Sequence, residues 1–128
     1  MNKEFSTSWK SSKKPRKQRK YAENAPLHLK RKLVSGHLAE PLRKKFKRRS
    51  LPIRKGDLVK IVVGQFKKLT GKVTRVDLNK TRIYVEGIGF TKKDGSKVPY
   101  PILPSNIVIQ DLVLDDKERK ALVEVSAK

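Results

Sequence analysis

Between Leu51 and Ile109, apolar and polar side chains alternate with a period of two. Val59, Ile61 and Val63 are set against Leu58, Lys60 and Val62, and Gly64 ends the run. Ile83 and Val85 alternate with Arg82, Tyr84 and Glu86. Such alternation marks strands with one face turned to a core. Asp94-Gly95, a strong hairpin dipeptide, lies between the runs Phe90–Lys92 and Lys97–Ile102. Ile107 and Ile109 form a last short strand after the Pro-rich turn Pro101–Asn106. Val73 and Val76 are three apart, so both can point inward only if a bulge or bend lies between them. Five short strands in about 60 residues, with a turn roughly every ten, predict a mainly β unit over residues 51–112: a small closed or nearly closed antiparallel barrel. Its core of about a dozen Val, Ile and Leu side chains implies marginal stability when free.

The pattern before Leu51 is different. Asn24 and Pro26 can open a helix in which Leu27, Arg31 and Val34 share a face, with Leu29 and Leu33 beside it; Gly36 is expected to stop it. Pro41 opens a second helix with Leu42 and Phe46 one turn apart and Leu38 placed to staple its start. These helices of residues 24–50 have too few apolar positions to form a core and must dock on something else, which their charge suggests is nucleic acid. Residues 1–23 have no apolar periodicity and are expected to form a basic arm, disordered when free. Residues 113–128 predict a short C-terminal helix from about Asp115, with acids in its first turn and no chemistry of its own.

Charge changes the picture. The 128 residues carry 33 Lys and Arg against 12 Asp and Glu, a net of +21. Residues 1–50 hold 17 basic and 3 acidic side chains, residues 51–110 hold 12 and 4, and residues 111–128 hold 4 and 5. Self-repulsion on this scale calls for a large anionic partner. There is no cysteine and there are only two histidines, His28 and His37, without nearby carboxylate partners, so thiol and zinc chemistry are not expected. No apolar run approaches the roughly 18 residues of a membrane span, and no apolar segment follows the first basic residues as in a secretory signal. No nucleophile–base pair or paired carboxylate stands out. Gly87-Ile88-Gly89 is a strand-end pair, because no helix follows it. The expectation is a non-enzymatic protein of the cytoplasm, with no cofactor, no metal, no small-molecule substrate and no membrane insertion.

One stretch says more than composition: Arg54-Lys55-Gly56-Asp57-Leu58-Val59-Lys60-Ile61, then Gly64, Lys67, Gly71-Lys72-Val73 and Val76. It resembles the KOW motif, which builds the first hairpin of an SH3-like barrel in several RNA-associated proteins. Gly56-Asp57 turns the chain into the strand, with Asp57 expected to bond the turn backbone, and Gly71 precedes the returning strand. The motif usually has Gly where Lys68 stands, and this departure adds a charge to the loop. Further stretches resemble one family: Pro15 to Lys20, Asn24-Ala25-Pro26, Arg49 to Asp57, Ile83 to Gly87 and Pro104-Ser105-Asn106. It is the large-subunit ribosomal protein family L twenty-four in its archaeal form (L twenty-six in eukaryotes), and the resemblance covers roughly residues 13–115.

The resemblance implies a five-stranded SH3-like barrel carrying a basic arm and short helices. It also implies direct binding to the 5′ part of the large ribosomal RNA, a part in early subunit assembly, and a place on the outer surface near the polypeptide exit tunnel beside other large-subunit proteins. The residues themselves point the same way. Phosphate contacts come first and make affinity salt-dependent. The candidates on the arm are Lys13, Lys14, Arg16, Lys17, Arg19 and Lys20, and in the helical segment His28, Lys30, Arg31, Lys32, Arg43, Lys44, Arg48 and Arg49. The barrel adds Arg54, Lys55, Phe66, Lys67, Lys68, Lys92 and Lys93. With eight aromatic residues, and Phe66 alone at a loop tip, folded RNA is favoured over base stacking on an aromatic platform. Two other readings compete. A KOW-bearing transcription elongation factor would need an α/β domain that residues 1–50 are too basic to form. A DNA-compacting protein leaves the family-like stretches unexplained.

Overall fold

A computed structural model describes residues 5–127 of the chain. After a 3-10 turn at Thr7–Ser11 come α1 (Pro15–Asn24), α2 (Leu27–Leu33), β1 (Ser35–Leu38), α3 (Glu40–Phe46) and β2 (Ser50–Pro52). There follow β3 (Leu58–Ile61), β4 (Thr70–Asp77), β5 (Arg82–Val85), β6 (Gly89–Thr91), β7 (Lys97–Pro99), β8 (Ile107–Asp111) and α4 (Lys117–Ala127). The fold is mainly β, as expected, but it has eight strands among the described residues where the alternation predicts five. Six form one sheet in the order β2-β1-β8-β3-β4-β5, and β6 pairs with β7 as the hairpin predicted at Asp94-Gly95. The large sheet keeps two edges, β2 and β5; β5 is bridged at one point, where Ile83 and Ile102 exchange backbone bonds of 2.9 Å.

The predicted inward positions are the core. Val59, Ile61, Val73, Ile83, Val85, Ile107 and Ile109 are all buried. The bulge predicted between Val73 and Val76 is present as a register shift against β5 between Val73 and Arg75; Val73 is buried and Val76 is half-buried. Each fully buried side chain of this size contributes about 1.5–3 kcal/mol relative to exposure.

The main difference lies at residues 35–38. The pattern predicts a helix that Gly36 ends. Instead α2 ends at Leu33, capped by Val34, and the chain enters β1, antiparallel to β2 and parallel to β8. The reason is packing. A Cβ on Gly36 would meet Ile109, Ile53 and Ile107 at 3.3–3.4 Å, so glycine lets β1 lie against the core. Leu38, fully buried, belongs to this strand and is not a staple for α3. α3 forms where Pro41 allows it, with Glu40 in its first turn, three cations in its last and Lys47 in left-handed conformation closing it. α2 and α3 dock on this chain itself and not on a nucleic acid as their charge suggests: Val34 and Phe46 join the core, and α3 packs beside α4.

A buried ion pair attaches α4. Asp57 is 0% and Arg119 3% exposed. The guanidinium donates in parallel to both carboxylate oxygens, Nη1 to Oδ1 at 2.7 Å and Nη2 to Oδ2 at 2.6 Å. It also donates to Val113 O and Pro52 O, while Asp57 accepts from the backbone N–H groups of Arg54 and Val113. The expected bond from Asp57 to its own turn is thus present, but its main partner comes from the C-terminal helix, where the sequence suggests no chemistry. Arg119→Met is expected to destabilise the fold by about 3–5 kcal/mol in urea unfolding, because a buried carboxylate loses its partner. Adding Asp57→Leu should not fully restore the loss, since the part-buried N–H groups of Arg54 and Val113 then lose their acceptor.

Candidate nucleic-acid interface

The turn after β2 is the best-built part of the basic surface. Asp57 holds Arg54 N–H at 2.9 Å, so the turn that displays Arg54 and Lys55 is anchored from beneath. Opposite stand Arg31 on α2 and Arg75 on β4. Together these four cations line an open groove of about 580 Å3 with Ile53, Val76 and Leu78 among its apolar lining. Arg54 is oriented by Asp116, Nη1 to Oδ2 at 2.6 Å. The Asp116 carboxyl lies below the usual carboxylate range, first because Glu118 N–H donates to it and then because of the Arg54 and Arg31 charges. Arg75 is placed by the β4 bulge, its guanidinium 5.6 Å from the Tyr84 ring and 3.9 Å from Asp77. The groove therefore unites three predicted residues, Arg31, Arg54 and Lys55, with one the sequence did not single out. A bulged strand at Val73–Val76 was the available signal for Arg75.

A second cationic group surrounds the loop after β3. Lys67 and Lys68 are exposed, and Lys68 donates its N–H to Ile61 O. Lys68 takes φ +74°, a left-handed conformation that glycine adopts without cost and lysine does not. Phe66 is half-buried, its ring 5.8 Å from Phe90 and 5.2 Å from Tyr100, which brings this loop beside the β6–β7 hairpin. Lys92 and Lys93 are exposed at that hairpin's turn. The side-chain hydroxyl of Ser96 and its N–H both bond Asp94 and hold that carboxyl below its ordinary value.

On α1, Lys13 and Lys14 just before it and Arg16, Lys17, Arg19 and Lys20 within it are all exposed. The 3-10 turn folds back on this helix, with Lys20 5.7 Å from the Trp9 ring and Phe5 5.3 Å from Tyr21. His28, Lys32 and Arg49 are exposed as well. Others are already engaged: Lys44 pairs with Glu40, Arg43 Nε donates to Leu38 O and Arg48 Nη1 to Leu122 O. Lys30 is the exception among the candidates. It is only 7% exposed, and its ammonium donates to Asn79 O at 3.3 Å. Its stem is used in packing α2 against the β4–β5 turn, a role the local sequence does not reveal.

Across the described residues no group of three or more His, Asp or Glu is placed to hold a metal, and no helix is long and apolar enough to cross a membrane.

The chain has close relatives. A family model described as the ribosomal proteins L26 of eukaryotes and their archaeal counterparts matches residues 12–126. The large ribosomal subunit protein uL24 of Methanosphaera stadtmanae is 50% identical over 108 residues, covering 84% of this chain and 92% of the relative.

The strain at Lys68 is testable by itself. Lys68→Gly is expected to raise stability by about 1–2 kcal/mol in urea unfolding, whereas Lys67→Gly, at an unstrained neighbour, should not.

Proposed function

The chain belongs to this ribosomal protein family, and from that premise we propose that it binds the 5′ part of large-subunit ribosomal RNA directly and helps the subunit assemble early. Membership makes it a structural, non-enzymatic constituent of the large subunit of the cytoplasmic ribosome. Its partners are then ribosomal RNA and neighbouring ribosomal proteins. The proposed position is the outer surface near the polypeptide exit tunnel.

The observation that carries RNA binding is the anchored groove of Arg31, Arg54, Lys55 and Arg75. Four cations converge on one cleft, and a buried ion pair holds the turn that bears two of them. Such contacts position a protein on a nucleic-acid backbone without reading bases. The exposed cations of α1, of the Phe66–Lys68 loop and of the β6–β7 turn extend the same surface. Residues 1–23 act in this reading as a basic arm that RNA holds in place, residues 1–4 lying outside the described residues; α1 is already helical but buries no side chain of its own, which supports that role. Residues 24–50 are the basic helical segment, 51–112 an SH3-like KOW barrel and 113–128 a C-terminal tail. The bulged β4 and the Ile83–Ile102 bridge support curvature of that kind.

Filter binding to a transcript of the 5′ region of large-subunit RNA tests this. Affinity should fall steeply with salt. Lys55→Gln and Arg75→Gln should each reduce the log–log salt slope by about one. In cells the tagged protein should sediment with large subunits in a sucrose gradient. Equal affinity for an unrelated RNA of the same length at every salt concentration would refute specific binding.

A further inference from the structure

Three aromatic rings from separate parts of the chain meet at the surface. Phe66 comes from the loop after β3, Phe90 from β6 and Tyr100 from just beyond β7. Their centroids lie 5.2–5.8 Å apart, with Phe90 and Tyr100 edge to face at 86°. They do not close on one another as a core does: Phe90 is 51% and Tyr100 36% exposed. The backbone holds them in place. A Cβ on Gly89 would meet Val98 O at 2.2 Å, so β6 and β7 approach closely only because glycine precedes Phe90. Tyr100 N–H donates to Ile88 O at 3.2 Å. Beside the rings a cleft of about 300 Å3 opens, lined by Phe66, Tyr100, Arg82 and Asn106 among others. That volume is at the lower end for a ligand site.

We propose that Phe66, Phe90 and Tyr100 form a stacking platform for an unpaired base of the bound RNA. This rests on the RNA-binding reading and adds a contact class that phosphate-binding cations do not supply. Charge selects the occupant. The loop Gly64–Leu69 and the hairpin Gly89–Pro99 together hold five lysines and one acid, Asp94, whose carboxylate is engaged by Ser96. Protein-binding patches are poor in lysine, whereas aromatic faces rimmed by cations are how unpaired nucleotides are held. A base splayed from folded RNA offers a π-face to the rings and carries its phosphates toward the lysines.

Phe90→Ala and Tyr100→Ala remove ring contacts as well as exposed surface, so a somewhat lower melting temperature is expected and binding is compared well below it, where every variant is folded. Each is expected to weaken binding to the 5′-region transcript about tenfold, with the salt slope unaltered because no charge is lost. Phe90→Tyr should restore affinity. Ultraviolet crosslinking of the unmodified protein to the same transcript should attach nucleotides at Phe90 or Tyr100. If the unmodified protein binds the transcript selectively but both alanine variants bind equally well, the platform is wrong and RNA binding stands. Crosslinks confined to the groove and α1 would overturn it too. If the unmodified protein shows no preference for the transcript, the RNA reading itself fails and the platform with it.

Discussion

Asp57 and Arg119 meet across 62 residues of chain, both buried. Burying two charges is costly, and the bidentate geometry offsets that cost only because the remaining hydrogen-bonding capacity is also used. Arg119 reaches Pro52 O and Val113 O, and Asp57 accepts from Arg54 and Val113 N–H. The pair therefore joins the end of β2, the turn into β3, the segment after β8 and α4. Val123 of α4 reaches the core through this attachment. The Arg54–Lys55 turn, which forms one wall of the basic groove, is held by the same carboxylate. Stability of the sheet's helical cover and geometry of the candidate site share one interaction.

Around that neutralised centre the surface stays strongly positive. Several acids are already paired or bonded: Asp57 with Arg119, Asp116 with Arg54, Glu40 with Lys44, and Asp94 with Ser96. They orient cations or shape turns and leave the net charge of +21 facing outward. Such self-repulsion disfavours the compact state until an anion offsets it. Lys68 makes the same point locally, since a charge stands in a backbone conformation that would suit glycine better. In a constituent of the large ribosomal subunit, uncompensated like charges on this scale call for an anionic partner.

The strands β3, β4, β5 and β8 and the β6–β7 hairpin were legible because their signals are local. Alternation at Val59–Ile61 and Ile83–Val85, the Asp94-Gly95 turn and the Val73–Val76 offset each depend on neighbours a few residues away. The starts of α3 at Glu40, with Pro41 in its first turn, and of α4 at Lys117, two residues after the expected Asp115, follow from capping and charge at helix ends, which are also local. β1 was not legible. Four residues containing a glycine resemble a helix stop until β8, some 70 residues later, offers a parallel partner. Lys30 looked like any other exposed cation for the same reason: Asn79, its partner, is 49 positions away.

The sequence alone determined the chemical character of the molecule. Net charge, the alternating apolar positions and the KOW-like spacing are properties of the one-dimensional chain, and they pointed to a mainly β fold and to the ribosomal family to which the chain belongs. The tertiary structure decided which side chains meet. Arg119 on Asp57, Arg75 beside Arg31, and Phe66 against Phe90 and Tyr100 are contacts between elements far apart in the chain. Many such pairings satisfy the same local patterns, and only the closing of one core selects among them.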